Sequence, residues 1–421
     1  MSSPSQHSIT AVAIGAAFPG LSMFPGVDNF PGSDILALQI IDASVTLDEG
    51  WSPYAQASIT CWTPDAATLD KLDPRLSPRV VLTLTQGFGT SLTFADFNAR
   101  WAGKTVAQFN AFYAGKTIAE FNAGLLMPWD GVSYREPVKL TLDLSIRSRT
   151  VDHENGTVTF SLTSDEAILQ DFALVATNPA DPATTSVRSA IFYALAKIGV
   201  SSLAGTLDAT VDAAATVWQP GVSAWDYVAP LVQKAGFRLW CDGGRVWRLT
   251  KGYTADGQVN LSAETGVKRA TDTVSREAEW FDSVVITYKW NDTAGVSHVA
   301  YDTAGAPGTK ALAINYDATV FPGAGAATGV LERAQGRGRV LDVEALSNYD
   351  TAPGIALSIT LPNTPIQTGV VSAVTWQFPA DTMTVKSRGL IDTSASSWQL
   401  TPAGRRWQDV ATGIKWNTYT P

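Results

Sequence analysis

The residues in this chain with the chemistry to catalyse or to bind a metal are few: three histidines, two cysteines and two acidic dipeptides. His7, His153 and His298 are too dispersed to propose a metal site from ligand spacing. Cys61 and Cys241 lie far apart and read as two buried thiols, because a lone pair does not make a disulfide framework. Asp48-Glu49 and Asp165-Glu166 offer carboxylates at the edges of strands or helices, and Asp165 reads as a helix cap. A glycosidase needs two carboxyls converging in a cleft, and nothing in the sequence points to convergence. Gly103-Lys104-Thr105 and Gly115-Lys116-Thr117 mimic the end of a phosphate loop. That loop also needs a glycine where Asn98 and Asn110 stand. Gly323, Gly325 and Gly329 lack dinucleotide spacing, and no Gly-x-Ser-x-Gly elbow occurs. The reading is a non-enzymatic chain with no cofactor and no catalytic or metal residue.

Composition points the same way. A chain of 421 residues suffices for two to four domains. Hydrophobic residues make up 45%, so folding is the default, while charged residues make up only 16%. The net charge of −9, with lysine and arginine scattered, argues against a sequence-independent grip on DNA. An acidic wall past which DNA slides is compatible with it. The N-terminus shows no basic segment followed by an apolar core and a cleavage site. The longest apolar stretches fall far short of the ~20 residues that cross a bilayer. A protein soluble when made is expected.

The elements that would position any site are mostly strands. Val80, Leu82 and Leu84 alternate with threonines, and Leu140, Leu142, Leu144 and Ile146 alternate with Thr141, Asp143 and Ser145. Asn155-Gly156 before Val158, Phe160 and Leu162 is a strong hairpin signal. Ser186 caps a helix whose face is Val187, Ala190, Ile191, Ala194, Leu195 and Ile198, and Gly199 stops it. Ser223 opens a second helix, kinked at Pro230, and Asp242-Gly243-Gly244 turns a second hairpin. Strands return from Trp280, with Val284, Ile286, Tyr288 and Trp290 alternating, and a short helix is read at 328–335.

Two repeats stand outside this pattern. Phe-Pro-Gly recurs at Phe18, Phe24 and Phe30, reading as a stepped loop of Pro-Gly turns. Phe97-Asn98, Phe109-Asn110 and Phe121-Asn122 recur at twelve-residue spacing. Thr105/Gln108 and Thr117/Glu120 fit a capping box, Thr93/Asp96 is a looser copy, and Gly103 and Gly115 sit as helix stops. Three short helices follow, packing through Phe97, Trp101, Phe109, Phe112, Tyr113 and Phe121, since isolated short helices are marginal in water. Phe18, Phe24, Phe30, Trp101, Phe109, Phe112, Tyr113 and Phe121 are the candidate partner contacts. Such aromatics serve equally as a passive local core.

Several segments in order resemble the minor tail proteins, at the tail-hub position, of long-tailed, non-contractile phages of actinobacteria. They are the Phe-Pro-Gly tract 18–32, Arg147–Asp152 through Ser164–Asp171, and Ser223–Tyr227 through Phe237–Asp242. Pro353-Gly354 through Pro362, Gln367–Gly369 and Arg388–Asp392 complete the series, which covers most of residues 15–392. The resemblance implies a fold similar to the baseplate hub of contractile phages: two β-barrel domains flanking a small mixed α/β domain. The expected division is a first barrel at 1–175 with the helical insertion at 88–135, an α/β domain at 176–252, and a second barrel with an accessory segment at 253–392. A tail at 393–421 ends the chain. The resemblance also implies a homotrimer at the virion tail tip, assembled in the host cytoplasm. The distal tail protein, the tape-measure protein and other tail-tip or receptor-binding proteins would be its partners, with DNA only in transit. Exposed tryptophans among the fourteen leave a glycan-binding receptor protein as the alternative, and a tail-associated hydrolase as a third reading. Core packing is the expected role of Trp218, Trp225, Trp240 and Trp247.

Deleting residues 93–126 and bridging the ends with a short Gly-Ser linker should leave a soluble protein with a cooperative melting transition. Aggregation, or loss of that transition in calorimetry, would place the repeat inside the core.

Overall fold

The structure, a computed structural model, describes residues 5–14, 35–88, 101–115 and 135–393, apart from residue 51 and short gaps at 253–254, 264–265, 278–279, 293, 307, 309, 318 and 363. The Phe-Pro-Gly tract, the flanking copies of the twelve-residue repeat and the tail lie outside the described residues. Among the described residues no helix is long and apolar enough to cross a membrane.

The chain is mainly β, and one antiparallel-rich sheet of thirteen strands dominates it. Its first part is built from β1 (Ser5–Ile14), β2 (Ile35–Leu38), β3 (Ile40–Asp48), β4 (Ala55–Trp62), β5 (Arg79–Phe88), β6 (Arg135–Asp152) and β7 (Thr157–Thr163). Period-two alternation sends Val158, Phe160 and Leu162 of β7 inward, against Ile59 and Cys61 of β4 and Leu142, Leu144 and Ile146 of β6. The Asn155-Gly156 turn joins β6 to β7, with Gly156 at a φ of 64°. A short helix, α1 (Ala66–Lys71), starts at Asp65, whose side chain accepts from the Thr68 amide.

The second part contains β10 (Gln258–Ser262), β11 (Arg269–Val274), β15 (Arg339–Leu346), β16 (Ala356–Thr360), β17 (Ile366–Phe378) and β18 (Thr382–Thr393). β17 joins the two parts. Residues 367–370 pair with β16, Ala373–Phe378 pair with β3, and β18 lies along its other edge. Side chains reinforce this seam: Thr46 meets Thr375 at 2.9 Å, and the Gln377 amide donates to Ser44 Oγ at 2.9 Å. His7 on β1 meets Asp381, in the β17–β18 turn, at 2.6 Å. One core runs through both parts. The strand path is β2-β1-β5-β6-β7-β4-β3-β17-β18-β15-β11, with β16 and β10 branching from β17. No ring of paired strands closes along it among the described residues, where two barrels were expected.

Two smaller units pack beside the sheet. The first contains α3 (Glu166–Asp171), α4 (Val187–Lys197), α5 (Ala224–Lys234) and the hairpin β8 (Phe237–Cys241)/β9 (Trp247–Lys251). Ser186 and Ser223 cap their helices as their side-chain chemistry dictates, and α5 contains Pro230. Trp218 is fully buried at its centre, stacked on Tyr227 at 5.0 Å. The second unit is the sheet β13 (Ser297–Ala304), β12 (Ser283–Asn291) and β14 (Ala311–Asp317), covered by α6 (Ala326–Gly336). The alternation from Val284 to Trp290 does mark a strand. It belongs to this separate sheet because Val284, Ile286 and Tyr288 bury against Ala326, Ala327 and Leu331 rather than the large core. Gly325 cannot cap α6 with a side chain, and Asp302 substitutes, accepting from the Gly325 and Ala327 amides at 3.0 and 2.9 Å.

Of the three helices expected in the insertion, the described residues contain α2 (Val106–Tyr113). It starts with both bonds of the capping box: Thr105 N–H donates to Gln108 Oε1 at 2.9 Å, and Gln108 N–H donates to Thr105 Oγ1 at 3.2 Å. Gly103 and Gly115 adopt φ values of 75° and 77°, as helix-stop glycines do.

Phe160 is fully buried on β7 between β4 and β6. Phe160→Ala should cost about 3–5 kcal/mol through lost burial and a residual cavity. Urea unfolding measures it; a loss below about 1 kcal/mol would mean that the site collapses or is not core.

Candidate functional site

One cleft of the fold lies where the pieces meet. Its volume is about 460 Å³, and residues from the β3–β4 connection, α3, α5, β8, α6 and β18 line it. Four arginines, Arg238, Arg333, Arg337 and Arg388, and two glutamates, Glu49 and Glu166, supply its charge. Trp225, Trp240, Phe237 and Phe281 supply apolar wall.

Glu49 follows β3 immediately, and its amide donates to Ser372 O on β17 at 3.0 Å. Its buried carboxylate takes a two-pronged hydrogen bond from Arg388, through Nε and through Nη2. Burial pushes the Glu49 carboxyl above the usual range; Arg388, then Arg238 and Arg337, pull the other way.

Glu166 begins α3. Its Oε1 accepts from the Tyr54 amide at 3.3 Å and from the Cys241 amide at 2.8 Å. Its buried Oε2 has no hydrogen-bond partner among the described residues. Burial pushes this carboxyl up, opposed by those amide bonds and by Ser164. The neighbouring Asp165 is not the helix cap that the sequence suggests. Its backbone is helical, at φ −72° and ψ −4°, whereas a capping residue is extended. Its side chain instead accepts from Ser145 Oγ at 3.3 Å and pairs with Arg245 at 2.7 Å. Gly243, in the β8–β9 turn, presses on β6: its carbonyl accepts from the Asp143 amide at 2.7 Å, and a β-carbon there would strike Leu142.

Arg238 lies over two rings, 5.0 Å from Tyr54 and 4.9 Å from Trp240, which themselves meet edge-on at 4.7 Å. Such cation–π contacts help to position the guanidinium. Gly50 lets Arg337 approach closely, because a β-carbon there would collide with its guanidinium.

The sequence-derived contact residues are elsewhere. Trp101 and Phe109 meet edge-on at 4.7 Å and do not line the cleft. Phe112 and Tyr113 fall on α2, and Phe18, Phe24, Phe30 and Phe121 lie outside the described residues. Trp218 and Trp247 are core, as expected, while Trp225 and Trp240 are half-buried in the cleft wall. Cys61 and Cys241 are buried free thiols. Sequence reasoning missed the meeting of Glu49 and Glu166. Both follow the end of a strand, where no periodicity reports what lies across the fold. Among the described residues no three His, Cys, Asp or Glu side chains gather as a metal site would require.

No family model and no curated protein matches this chain. Solved structures do. The chain is similar to the tail protein from Neisseria meningitidis MC58, with a TM-score of 0.52 and 10% identity over 90% of this chain and 96% of that one. It is also similar to the 43 kDa tail protein of prophage MuSo2 from Shewanella oneidensis, with a TM-score of 0.50 and 11% identity over 90% and 98% of the two chains. These likenesses establish a shared fold across nearly the whole chain.

Burial raises Glu166 above its unfolded value, so in the intervening pH range the folded protein keeps a proton that the unfolded chain has lost. That stabilisation is complete below the unfolded value and is lost as pH rises through the folded one. Glu166→Gln keeps the amide bonds without the titration. Its stability relative to the native protein should therefore grow as pH rises above the usual carboxylate range. Parallel urea profiles would show that Glu166 does not titrate abnormally. Arg388→Ala should cost about 3–5 kcal/mol by leaving Glu49 buried and unpaired, read from the same urea curves.

Proposed function

We propose that this chain is the structural tail hub of a phage virion. The observation that carries the reading is the fold shared with two phage-type tail proteins over nine-tenths of the chain. The assignment to phages of actinobacteria rests on the ordered motifs between residues 15 and 392 alone.

The strand pairing supports two barrels. β2 and β3 are separated only by Gln39, whose carbonyl accepts from the Trp62 amide at 3.2 Å. β2 pairs with β1 and β3 with β4, so a bent run over 35–48 would complete a ring with β5, β6 and β7. Likewise β10 pairs with β16 and β11 with β15, so the run 258–274 would complete a second ring through β17 and β18. The proposed domain division remains 1–175, 176–252, 253–392 and the tail.

Three copies would then place six barrels around one axis and match a sixfold tube to a threefold tip. In this role the protein closes the distal tail tube, seats the distal tail and tape-measure proteins, contacts other tail-tip or receptor-binding proteins, and opens for DNA. Its lumen-facing surface is neutral or acidic, in keeping with the −9 charge, so DNA passes without sticking. Assembly takes place in the host cytoplasm. A non-enzymatic role fits the cleft, where Arg388 engages Glu49 and two backbone amides engage Glu166.

The experiment is a count of copies per virion by quantitative mass spectrometry. Three copies are expected, and six or twelve would remove the hub assignment.

A further inference from the structure

Asn155-Gly156 is the one Asn-Gly pair in the sequence, and it lies in the turn between β6 and β7. Residues 152–156 of that turn are exposed. Asparagine followed by glycine is chemically labile. The side-chain amide carbon lies within reach of the next backbone nitrogen, and glycine puts no β-carbon in the way. The surroundings of Gly156 are open, since a β-carbon built there would meet nothing within 4 Å. Its carbonyl accepts from the Thr63 amide at 3.0 Å, while its own N–H meets no acceptor among the described residues. A nitrogen tied into a strand ladder would have to give up a bond before reacting, and this one does not.

Asn155 is held from the other side by Asp152. Its backbone N–H donates to Asp152 Oδ1 at 3.1 Å, and its side-chain Nδ2 donates to Asp152 Oδ2 at 2.7 Å. The Glu154 N–H donates to Oδ1 as well, at 3.0 Å. A side chain tied to a residue three positions back is not free to swing toward the next one. The bond from Nδ2 also draws electron density toward the amide carbon and makes it a poorer electrophile. The same carboxylate that shapes the turn therefore restrains its chemistry.

We propose that Asn155 is a modification site, where slow deamidation gives aspartate and isoaspartate, and that Asp152 restrains the rate. The Gly156 nitrogen gives its proton to solvent base and attacks Asn155 Cγ. The new N–Cγ bond closes a five-membered imide. The Cγ–Nδ2 bond breaks, and Nδ2 leaves as ammonia with a proton returned through solvent. Water then adds to one of the two imide carbonyls. Breaking the Cγ–N bond yields aspartate, and breaking the bond from the Asn155 backbone carbonyl to that nitrogen yields isoaspartate. The net change is one water consumed and one ammonia released, with no oxidant or reductant. The site depends only on this turn and stands apart from the assignment as a tail hub.

The test incubates the intact chain at mildly alkaline pH below its melting transition and follows each asparagine by peptide mass spectrometry. Asn260 and Asn315, both exposed and followed by Leu261 and Tyr316, are the internal controls. Asn155 should convert at least about tenfold faster than either, because only its neighbour lacks a β-carbon. In heavy-oxygen water the product should carry one labelled oxygen, and an isoaspartyl methyltransferase should methylate part of it. Equal rates at the three asparagines overturn the proposal, and so does product without the label. Asp152→Ala should raise the rate at Asn155 at least about threefold, the factor that one net hydrogen bond is worth. Unfolding the native chain in guanidinium chloride should raise it by at least as much, and this comparison needs no variant to fold. An unchanged rate in both removes the restraining role of Asp152.

Discussion

One buried carboxyl organises the junction on which the architecture rests. Glu166 Oε1 receives amide protons from Tyr54, in the β3–β4 connection, and from Cys241, at the end of β8. Those groups come from the large sheet and from the smaller unit that follows it. Without Glu166, these two buried N–H groups would lose the acceptor they share. Asp165, one residue earlier, ties in Arg245 of the β8–β9 turn. Consecutive acidic residues thus hold the turn end of the hairpin, and the wall formed by Tyr54, Arg238 and Trp240 follows from that docking.

The cleft is therefore a by-product of assembly as much as a site. Its charges come from five separate stretches of chain, the β3–β4 connection, α3, β8, α6 and β18. Each charge is held by local chemistry: a two-pronged carboxylate pair for Arg388, aromatic faces for Arg238 and a side-chain-free glycine beside Arg337.

The parts of the fold governed by short-range rules were legible in the sequence. Ser186, Ser223 and Thr105 cap helices because a hydroxyl beside unsatisfied amides has few better partners. Asn155-Gly156 turns a hairpin because it tolerates positive φ, and alternation marks β5, β6 and β7. Which sheet a strand joins was not legible. Val284, Ile286 and Tyr288 alternate like any half-buried strand, and only the apolar face of α6 decides where they go. The candidate site was equally hidden, because the meeting of Glu49 and Glu166 depends on long-range pairing through β17 and on the docking of β8. Asp165 shows the limit from the other side: its type fits a cap, and its helical backbone forbids one.

β17 serves two neighbours along one edge, with residues 367–370 on β16 and Ala373–Phe378 on β3. A cut anywhere between the halves would strip β3 of a six-residue partner and expose a row of unpaired amides and carbonyls, a template for promiscuous strand addition. The two halves are consequently not interchangeable parts. A recombination event that replaced one of them would have to supply a matching edge, with a threonine opposite Thr46 and an amide opposite Ser44, before the hybrid escaped aggregation. The seam makes the chain a single heritable unit, in which drift on one side constrains what the other can accept.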